Sequence, residues 1–286
     1  MLPVAPPSEI ALDYLRRLVH SNAAIVLDGT KTYLFQARLT PIIAEEGLSD
    51  FDELVHLIDE DKTVAQRVVE AMTTNETSFF RDIQPFEALR KVILPGIAEE
   101  NRARKSISIW SAASSTGQEL YSIAFLVKEF AARNPGWSFR LMGTDISTEV
   151  LERAQAGRYS QLEVNRGLPM SMMVKHFTKV GVDWQVKADV RQFVEFKRMN
   201  LIEPWPPMPM FDVVFLRNVL IYFDVATRKR IIDRMADHIR PGGYLFLGGV
   251  ETSMSQSDRL SIVQMEKTIC YRVNPQGAKH VRAIPA

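Results

Sequence analysis

The first part of the chain carries a helical pattern of apolar positions. Between residues 8 and 72, leucine, isoleucine and valine recur at spacings of three and four residues, which is the period of one face of an α-helix. Turn signals at Asp28-Gly29 and Gly47 divide the region into separate helices. We therefore expect an all-helical N-terminal domain over residues 8–72. Pro41 should kink or end the second helix unless it occupies the first turn of a new one.

Beyond residue 73, short apolar runs alternate with helical patterns. The strand-like runs are 106–111, 139–145, 194–200, 212–216, 244–249 and 268–273, and helical patterns cover 121–130, 148–156 and 225–239. Such alternation is typical of a doubly wound α/β domain with a mostly parallel sheet. We predict a Rossmann-like fold over residues 73–273, with a turn at 241–243 and the last strand closing the edge of the sheet.

Two stretches do not follow this alternation. Residues 157–195 offer one helical piece, 169–177, and short β-like pieces around 184–186 and Phe193, so we expect an inserted β-subdomain there. The tail, 274–286, is polar and contains two prolines, which is typical of a disordered terminus.

Composition and charge narrow the functional classes. The chain has 286 residues, of which 46% are hydrophobic and 24% charged, as in an ordinary globular protein. The net charge of +1 provides no overall attraction to nucleic acid or to an anionic membrane. No apolar run approaches the roughly 20 residues needed to span a bilayer, and the N-terminus lacks the pattern of a signal peptide. We expect a cytoplasmic protein without membrane insertion or a nucleic-acid partner.

Cysteine and histidine usage excludes further chemistry. The single cysteine, Cys270, cannot form an intramolecular disulfide, and its strand-like surroundings favour a buried, unreactive thiol. The five histidines are scattered without metal-ligand spacing, so we expect no metal site. The chain also lacks a phosphate-binding Gly-x-x-x-x-Gly-Lys loop and a Gly-x-Ser-x-Gly nucleophile turn.

The first strand opens onto a loop of small residues, 112–119. Ligands of open α/β sheets lie beyond the carboxyl ends of the strands, but a dinucleotide site needs three glycines and only Gly117 is present. Asp145 ends the second strand, where an acid can accept hydrogen bonds from both ribose hydroxyls. The alternatives are an ordinary strand–helix turn and a helix N-cap near Ser147. Together, the loop and the acid favour a nucleoside.

Two further groups of residues refine this hypothesis. Arg81 carries a planar guanidinium that can pair with a carboxylate, such as the amino-acid end of S-adenosylmethionine; the alternative is a helix start, because Thr73 and Glu76 match a capping box. Arg217-Asn218 follow the fourth strand, where Asn218 can bond an adenine edge or the cofactor's amino group.

Several motifs then resemble one known family, the CheR-type glutamate methyltransferases of chemotaxis receptors. In the family's order, the matching segments are 72–82, 110–122, 143–146, 200–201, 215–224 and 241–243. The resemblance covers about residues 10–273. It implies a methyltransferase that uses S-adenosylmethionine, releases S-adenosylhomocysteine and methylates glutamate side chains on the cytoplasmic helices of methyl-accepting chemoreceptors.

The resemblance also implies roles for individual residues. Asn75, Thr77 and Arg81 would hold the methionine end of the cofactor, and Glu119 and Asp145 its nucleoside side. The remaining residues expected in the cofactor pocket are Gly117, Asn200, Leu201, Arg217 and Asn218. Apart from the resemblance, we hypothesise that Arg217 or Tyr222 orients the acceptor; the alternative for Tyr222 is packing under its loop.

The chain departs from the family pattern in three places. The loop has Ser114 where cysteine is common, and Gln118 and Leu120 replace the usual glutamate and proline. In the second helix, residues 40–46 interrupt the arginine-rich pattern and leave mainly Lys31 and Arg38, so charge alone is not expected to dock the receptor.

The third departure lies in the insertion. Its segment 179–184 is short and lacks the extension with which some members bind a pentapeptide at the receptor's C-terminus, so we expect binding without that tether. Nothing in the sequence suggests an obligate dimer, and we expect a monomer.

Two other functions remain open from the residues themselves. One is a domain that binds S-adenosylmethionine or S-adenosylhomocysteine without turnover, as a sensor or scaffold. The other is a small-molecule or nucleic-acid methyltransferase, which the near-neutral charge disfavours. The run 203–207 also lacks the Asn/Asp-Pro-Pro-aromatic motif of many nucleic-acid amino-methylases.

Overall fold

The computed structural model describes residues 4–27, 31–252, 257–265 and 267–274. Within them the chain forms two compact units. The first consists of the stretches up to Thr74, 200–204 and 222–227, and the second of 75–199, 205–221 and the stretches from 228 onward. The expected turn at Asp28-Gly29 and the expected disordered tail beyond Asn274 lie outside the described residues.

The described residues of the first unit form four helices, in agreement with the all-helical domain that the apolar periodicity predicts. They are α1 (Glu9–Ala23), α2 (Thr32–Glu45), α3 (Phe51–Glu60) and α4 (Lys62–Ala71). Side-chain oxygens cap three of them: Ser8 accepts from Ala11 N at the start of α1, and Asp50 and Asp61 do the same for α3 and α4. Such caps satisfy backbone donors that have no partner inside the helix.

The second helix shows two features that the sequence pattern did not predict. It continues through Pro41 to Glu45, so the expectation that Pro41 ends it is wrong. Phe35, Leu39 and Ile43 are fully buried along it, and this burial offsets the hydrogen bond that proline cannot donate. Arg38 donates through Nη1 to Met72 O at 2.8 Å, which engages its guanidinium at the end of α4.

The second unit is built on a seven-stranded sheet. Its strands are β1 (Ser106–Ala112), β2 (Ser138–Asp145), β6 (Val194–Arg198), β7 (Phe211–Leu216), β8 (Ile239–Leu247), β9 (Leu260–Met265) and β10 (Thr268–Val273). Their order in the sheet is β6-β2-β1-β7-β8-β10-β9. The first five run parallel, and β10 pairs antiparallel with both β8 and β9. The predicted doubly wound sheet is confirmed, and its strand order reverses between β1 and β7.

Three helical segments precede β1, and the other helices connect strands of this sheet. In chain order, these segments are α5 (Gln84–Ala88), a π-helical turn (Leu89–Ile93), α6 (Leu94–Glu100), α7 (Gln118–Arg133), α8 (Thr148–Ala156), a 3₁₀ turn (Leu220–Tyr222) and α12 (Val225–His238). The helical run over 84–100 was not predicted from the sequence. All six residues of β7 are buried, as expected for a central strand with both faces covered. No helix in the described ranges combines the length and hydropathy that a membrane span requires.

The insertion forms the expected small β-subdomain. Its elements are β3 (Arg158–Tyr159), α9 (Gln161–Asn165), α10 (Met170–His176), β4 (Phe177–Val180), β5 (Asp183–Val186) and α11 (Ala188–Arg191). The three strands form an antiparallel sheet in the order β3-β5-β4. Only Gly181 and Val182 connect β4 to β5, and Gly181 adopts φ +64° in this tight turn.

Two expectations at the far side of the large sheet are wrong. The strand 268–273 does not close the edge, because β9 lies outside it. The segment 241–243 is not a turn before a strand but lies inside β8, beside a shift of register in β7. Glycine is needed there, since a Cβ on Gly243 would lie 2.7 Å from Asp212 O.

Candidate active site

The loop after β1 has an unusual backbone. Ala113 and Ser115 adopt φ values of +55° and +50°, and Gly117, which precedes α7, adopts +93°. Left-handed conformations of non-glycine residues cost free energy and tend to occur at functional sites. A Cβ on Gly117 would come within 2.9 Å of Ala154 Cβ, so glycine is required for the close packing of α7 on α8.

Asp145, at the end of β2, holds this loop in place. Its Oδ2 accepts from Ser115 N at 2.8 Å and its Oδ1 from Ser147 N at 3.1 Å. Ser147, and not Asp145, is the N-cap of α8, because its hydroxyl accepts from Val150 N. The acid is buried, with 6% of its surface exposed. Each carboxylate oxygen can accept more than one hydrogen bond, which is the chemistry that ribose hydroxyls require.

The segment 75–82 binds to the same loop. Asn75 O accepts from Ser115 Oγ at 2.7 Å, and Phe80 N donates to Ser122 Oγ at 3.0 Å. Thr77 is half-buried in this irregular stretch. No helix begins at residues 73–76, so the capping-box alternative is wrong. The Thr73 hydroxyl instead donates to Glu70 O, in the last turn of α4.

Arg81 lies between two residues with left-handed backbones, Phe80 (φ +48°) and Asp82 (φ +58°). Its Nη1 donates to Glu76 O at 2.9 Å, which takes one of the five N–H donors of a guanidinium. A hydrogen bond from Arg166, together with the charge of Arg81, lowers the pKa of the Glu76 carboxyl.

Phe79 and Phe80 are core residues. Phe79 is fully buried and packs edge-on against Tyr159 and Phe177. Tyr159 in turn donates its hydroxyl to Thr116 O, in the loop after β1, at 2.7 Å. Burial raises the pKa of Tyr159 well above its usual value, so the hydroxyl stays a neutral donor to the loop. Tyr159 was not predicted as a site residue.

A network of ion pairs around the buried Arg217 joins the ends of β1 and β7, the two strands between which the strand order reverses. Arg217, directly after β7, donates through Nη1 to Glu119 Oε2 at 2.9 Å and through Nη2 to Asp82 Oδ2 at 2.8 Å. Its Nη2 also donates to Arg81 O at 2.9 Å. The Arg217 side chain is 1% exposed, and Ser111 Oγ donates to the other oxygen of Glu119. Buried charges of this kind require such partners.

Asn218 depends on a residue that the sequence did not single out. It adopts φ +60°, and its backbone N–H donates to Glu251 Oε2 at 2.8 Å. The fully buried Glu251 also accepts from Leu220 N and Gly248 N. Its carboxylate therefore ties the turn after β7 to the end of β8. A lone glutamate after Gly-Gly-Val carries no sequence signal for this role.

Three predicted site residues belong to the first unit. Asn200 Nδ2 donates to Asn22 O at 2.6 Å and to Glu203 Oε1 at 3.0 Å. Leu201 is buried. Tyr222 accepts from Val26 N through its backbone oxygen at 2.9 Å, and its side chain is half-buried. The second unit holds the other eight. Hydrogen bonds through Ser115 link Asn75 to Asp145, and hydrogen bonds from Arg217 link Arg81 to Glu119.

Comparison with known proteins decides the family. The chain matches the model for the SAM-binding domain of CheR methyltransferases over residues 75–269 and the model for their all-alpha domain over residues 10–73. The chain belongs to the CheR methyltransferase family. It is therefore a methyltransferase, and S-adenosylmethionine is its cofactor.

Several relatives match this CheR chain over most of its length. It is similar to "Chemotaxis protein methyltransferase 1" of Pseudomonas aeruginosa, with 37% identity over 91% of this chain and 96% of the relative. The corresponding values for "Chemotaxis protein methyltransferase" of Vibrio parahaemolyticus are 38%, 90% and 94%. For the protein of that name from Borreliella burgdorferi they are 33%, 84% and 87%.

The groups in the second unit fit this cofactor chemically. Asp145 offers carboxylate oxygens suited to ribose hydroxyls, and Arg81 offers a guanidinium suited to a carboxylate. Within the described part of the chain, no group of histidine, cysteine and acidic residues could hold a metal ion. Cys270 is buried in β10, which raises the pKa of its thiol to about 12 and confirms the prediction that it is buried.

Proposed function

We propose that the chain transfers a methyl group from S-adenosylmethionine to glutamate side chains on the cytoplasmic helices of chemoreceptors. The observation that carries this proposal is the Glu119–Arg217–Asp82 network, which lies at the carboxyl edge of a family-typical SAM-binding domain. The relatives compared above carry the name chemotaxis protein methyltransferase, which supports a chemotaxis protein as acceptor; the receptor glutamates come from the resemblance to the CheR family.

Residue roles follow from the contacts and the family motifs. Asp145 would accept from the ribose hydroxyls while it keeps Ser115 in position, and Arg81 would bind the cofactor's carboxylate beside Asn75 and Thr77. The small loop ending at Gly117 would let the backbone approach the cofactor. Further cofactor contacts are proposed for Glu119, Arg217 and Asn218, and, from the family motif alone, for Asn200 and Leu201.

The chemistry requires little acid or base assistance. The cofactor supplies an electrophilic methyl group on a sulfonium; as the carboxylate oxygen bonds to that carbon, the sulfur keeps the electrons of the broken bond. A glutamate is already ionised at pH 7, so no general base is needed. The residues of the chain hold the acceptor in line and exclude water, which can contribute several kcal/mol. Arg217 or Tyr222 would orient the acceptor carboxylate.

Receptor binding is proposed to need no C-terminal pentapeptide. Only Gly181 and Val182 connect β4 and β5, which leaves no room for an extension in that turn. The guanidinium of Arg38 donates hydrogen bonds to Met72 O and Thr73 O at the end of α4. Because this cation of α2 is already hydrogen-bonded, we propose that the receptor docks by means other than the charge of α2. We propose that the protein acts as a cytoplasmic monomer. Tight, saturable binding of the pentapeptide in calorimetry would contradict the first of these statements.

One experiment tests the function. The protein is incubated with methyl-labelled S-adenosylmethionine and receptor-containing membranes, and base-labile methyl esters are counted. We expect labile label on the receptor, and its loss with Asp145→Ala but not with the matched variant Asp189→Ala, which removes an exposed acid paired with Lys128. Bound cofactor without label would replace the proposal with the sensor function, and absence of binding would overturn both.

A further inference from the structure

A cavity of about 310 Å³ lies beside Arg217, in the second unit. One side is formed by Asp82 and the start of α5, and the other by the hairpin of β9 and β10. The floor is apolar and includes Leu247 and Ile269, whereas Gln264 and Lys267 place polar groups on the hairpin side. None of the cofactor roles proposed above uses this hairpin.

Arg217 forms the wall between this cavity and the residues assigned to the cofactor. Its Nη1 binds Glu119, in the first turn of α7, and its Nη2 binds Asp82, which lines the cavity. Arg217 Nε is buried and has no hydrogen-bond partner within the described residues. A buried donor without a partner is costly, so this atom favours a polar ligand on one of the two sides.

The charged groups around the cavity differ in whether they are paired. Glu119 and Asp82 carry two negative charges against the single positive charge of Arg217, and both form ion pairs with it. Lys267 at the hairpin brings the sum of these four charges to zero and is the member of the group that forms no ion pair with a described carboxylate. An apolar floor beside an unpaired lysine matches a glutamate side chain, which joins two methylene groups to a carboxylate.

We propose that this cavity and the β9–β10 hairpin form a subsite for the acceptor segment of the receptor. Glutamate-containing peptide enters along the hairpin, its aliphatic groups rest on Leu247 and Ile269, and Lys267 pairs with a carboxylate next to the methylated position. This inference rests on the proposed function, because it names the residues that recognise the acceptor of that reaction. Lys267 is thereby a specificity residue and not part of the methyl transfer.

The test is charge reversal at the hairpin, Lys267→Glu, assayed with receptor-containing membranes. We expect the KM for the receptor to rise about fivefold or more, since replacing attraction by repulsion at a surface pair costs on the order of 1 kcal/mol. The KM for S-adenosylmethionine and the melting temperature should not change. The matched control is Lys197→Glu, the same charge change at an exposed lysine on β6, at the opposite edge of the sheet.

A second measurement separates recognition from a general charge effect. A receptor in which the acid next to the acceptor is replaced by lysine should restore the KM of Lys267→Glu and raise that of the wild type. If the wild type methylates the receptor but Lys267→Glu leaves the KM unchanged, or Lys197→Glu raises it equally, the subsite is refuted. If the wild type forms no methyl ester at all, the proposed function fails instead.

Discussion

Glu251 accepts a hydrogen bond from the backbone N–H of Asn218 at 2.8 Å, and the two residues are separated by 33 positions in the chain. The same carboxylate binds Leu220 N and Gly248 N. Asn218 has a left-handed backbone, which costs free energy for a residue with a side chain. Glu251 therefore stabilises a strained turn that carries two residues proposed to contact the cofactor.

Glu251→Gln should weaken cofactor binding as well as folding. The amide keeps one acceptor oxygen and places an NH₂ group against backbone donors, which should cost about 2–4 kcal/mol of stability. Calorimetry with S-adenosylhomocysteine should show an affinity at least tenfold lower. Asp212→Asn is the control, because Asp212 is also buried and accepts from Ser108 N, far from this turn. Equal loss of affinity in both variants would contradict a specific role.

The Arg217–Glu119 pair should behave as a coupled unit. Arg217→Met leaves the buried Glu119 without its cation and should cost about 3–5 kcal/mol in urea unfolding. Glu119→Gln should cost less, because Arg217 keeps its ion pair with Asp82. The double variant should cost clearly less than the sum of the single changes. For comparison, Lys175→Ala breaks the exposed pair with Glu129 and should cost less than about 1 kcal/mol. Strictly additive costs would show that the two charges do not interact.

Gly117→Ala should destabilise the protein more than Gly136→Ala. Both glycines have left-handed backbones, φ +93° and +82°, but a Cβ at Gly117 meets Ala154 whereas nothing lies within 4 Å of one at Gly136. Backbone strain alone should cost about 1 kcal/mol, and the clash should add about 1–3 kcal/mol. Thermal unfolding measures both, and equal shifts in melting temperature would exclude the packing argument.

His176 should make the stability depend on pH. It is buried and stacks on Phe125 with the ring centroids 4.5 Å apart, and burial, followed by the charge of Lys175, lowers its pKa to about 4. Between pH 6.5 and 4 the unfolded chain binds a proton that the folded protein does not, so stability falls as the pH falls through this window. His176→Gln should flatten the profile, measured by urea unfolding at each pH, and exposed His56→Gln should not.

Tyr222→Phe tests the proposed role of the hydroxyl. If it orients the acceptor through one hydrogen bond, kcat should fall about threefold to tenfold, while the affinity for S-adenosylmethionine stays the same. Tyr33→Phe, which removes a hydroxyl from an exposed tyrosine, is the control. Unchanged turnover with Tyr222→Phe would remove the hydroxyl from the mechanism and leave Arg217 as the orienting group.

Local sequence patterns predicted most of the elements near the site. The run 212–216 is almost continuously apolar, as a buried parallel strand must be, and Asp145 and Arg217 follow their strands directly. Since the carboxyl ends of parallel strands meet at one edge, these positions pointed to a common site. The edge strand β9 escaped prediction because only two of its six residues, Val263 and Met265, are buried.

The sequence by itself determined the periods of the helices and strands, the strand ends that form the site, and the motifs of the CheR family. Only the tertiary structure decided which charges meet there. Arg217 binds Asp82, 135 positions away, as well as Glu119, and Glu251 reaches back to the turn at Asn218. Such pairs depend on strand order, register and burial, because these bring distant carboxylates and donors within hydrogen-bond distance, and no local pattern encodes that distance.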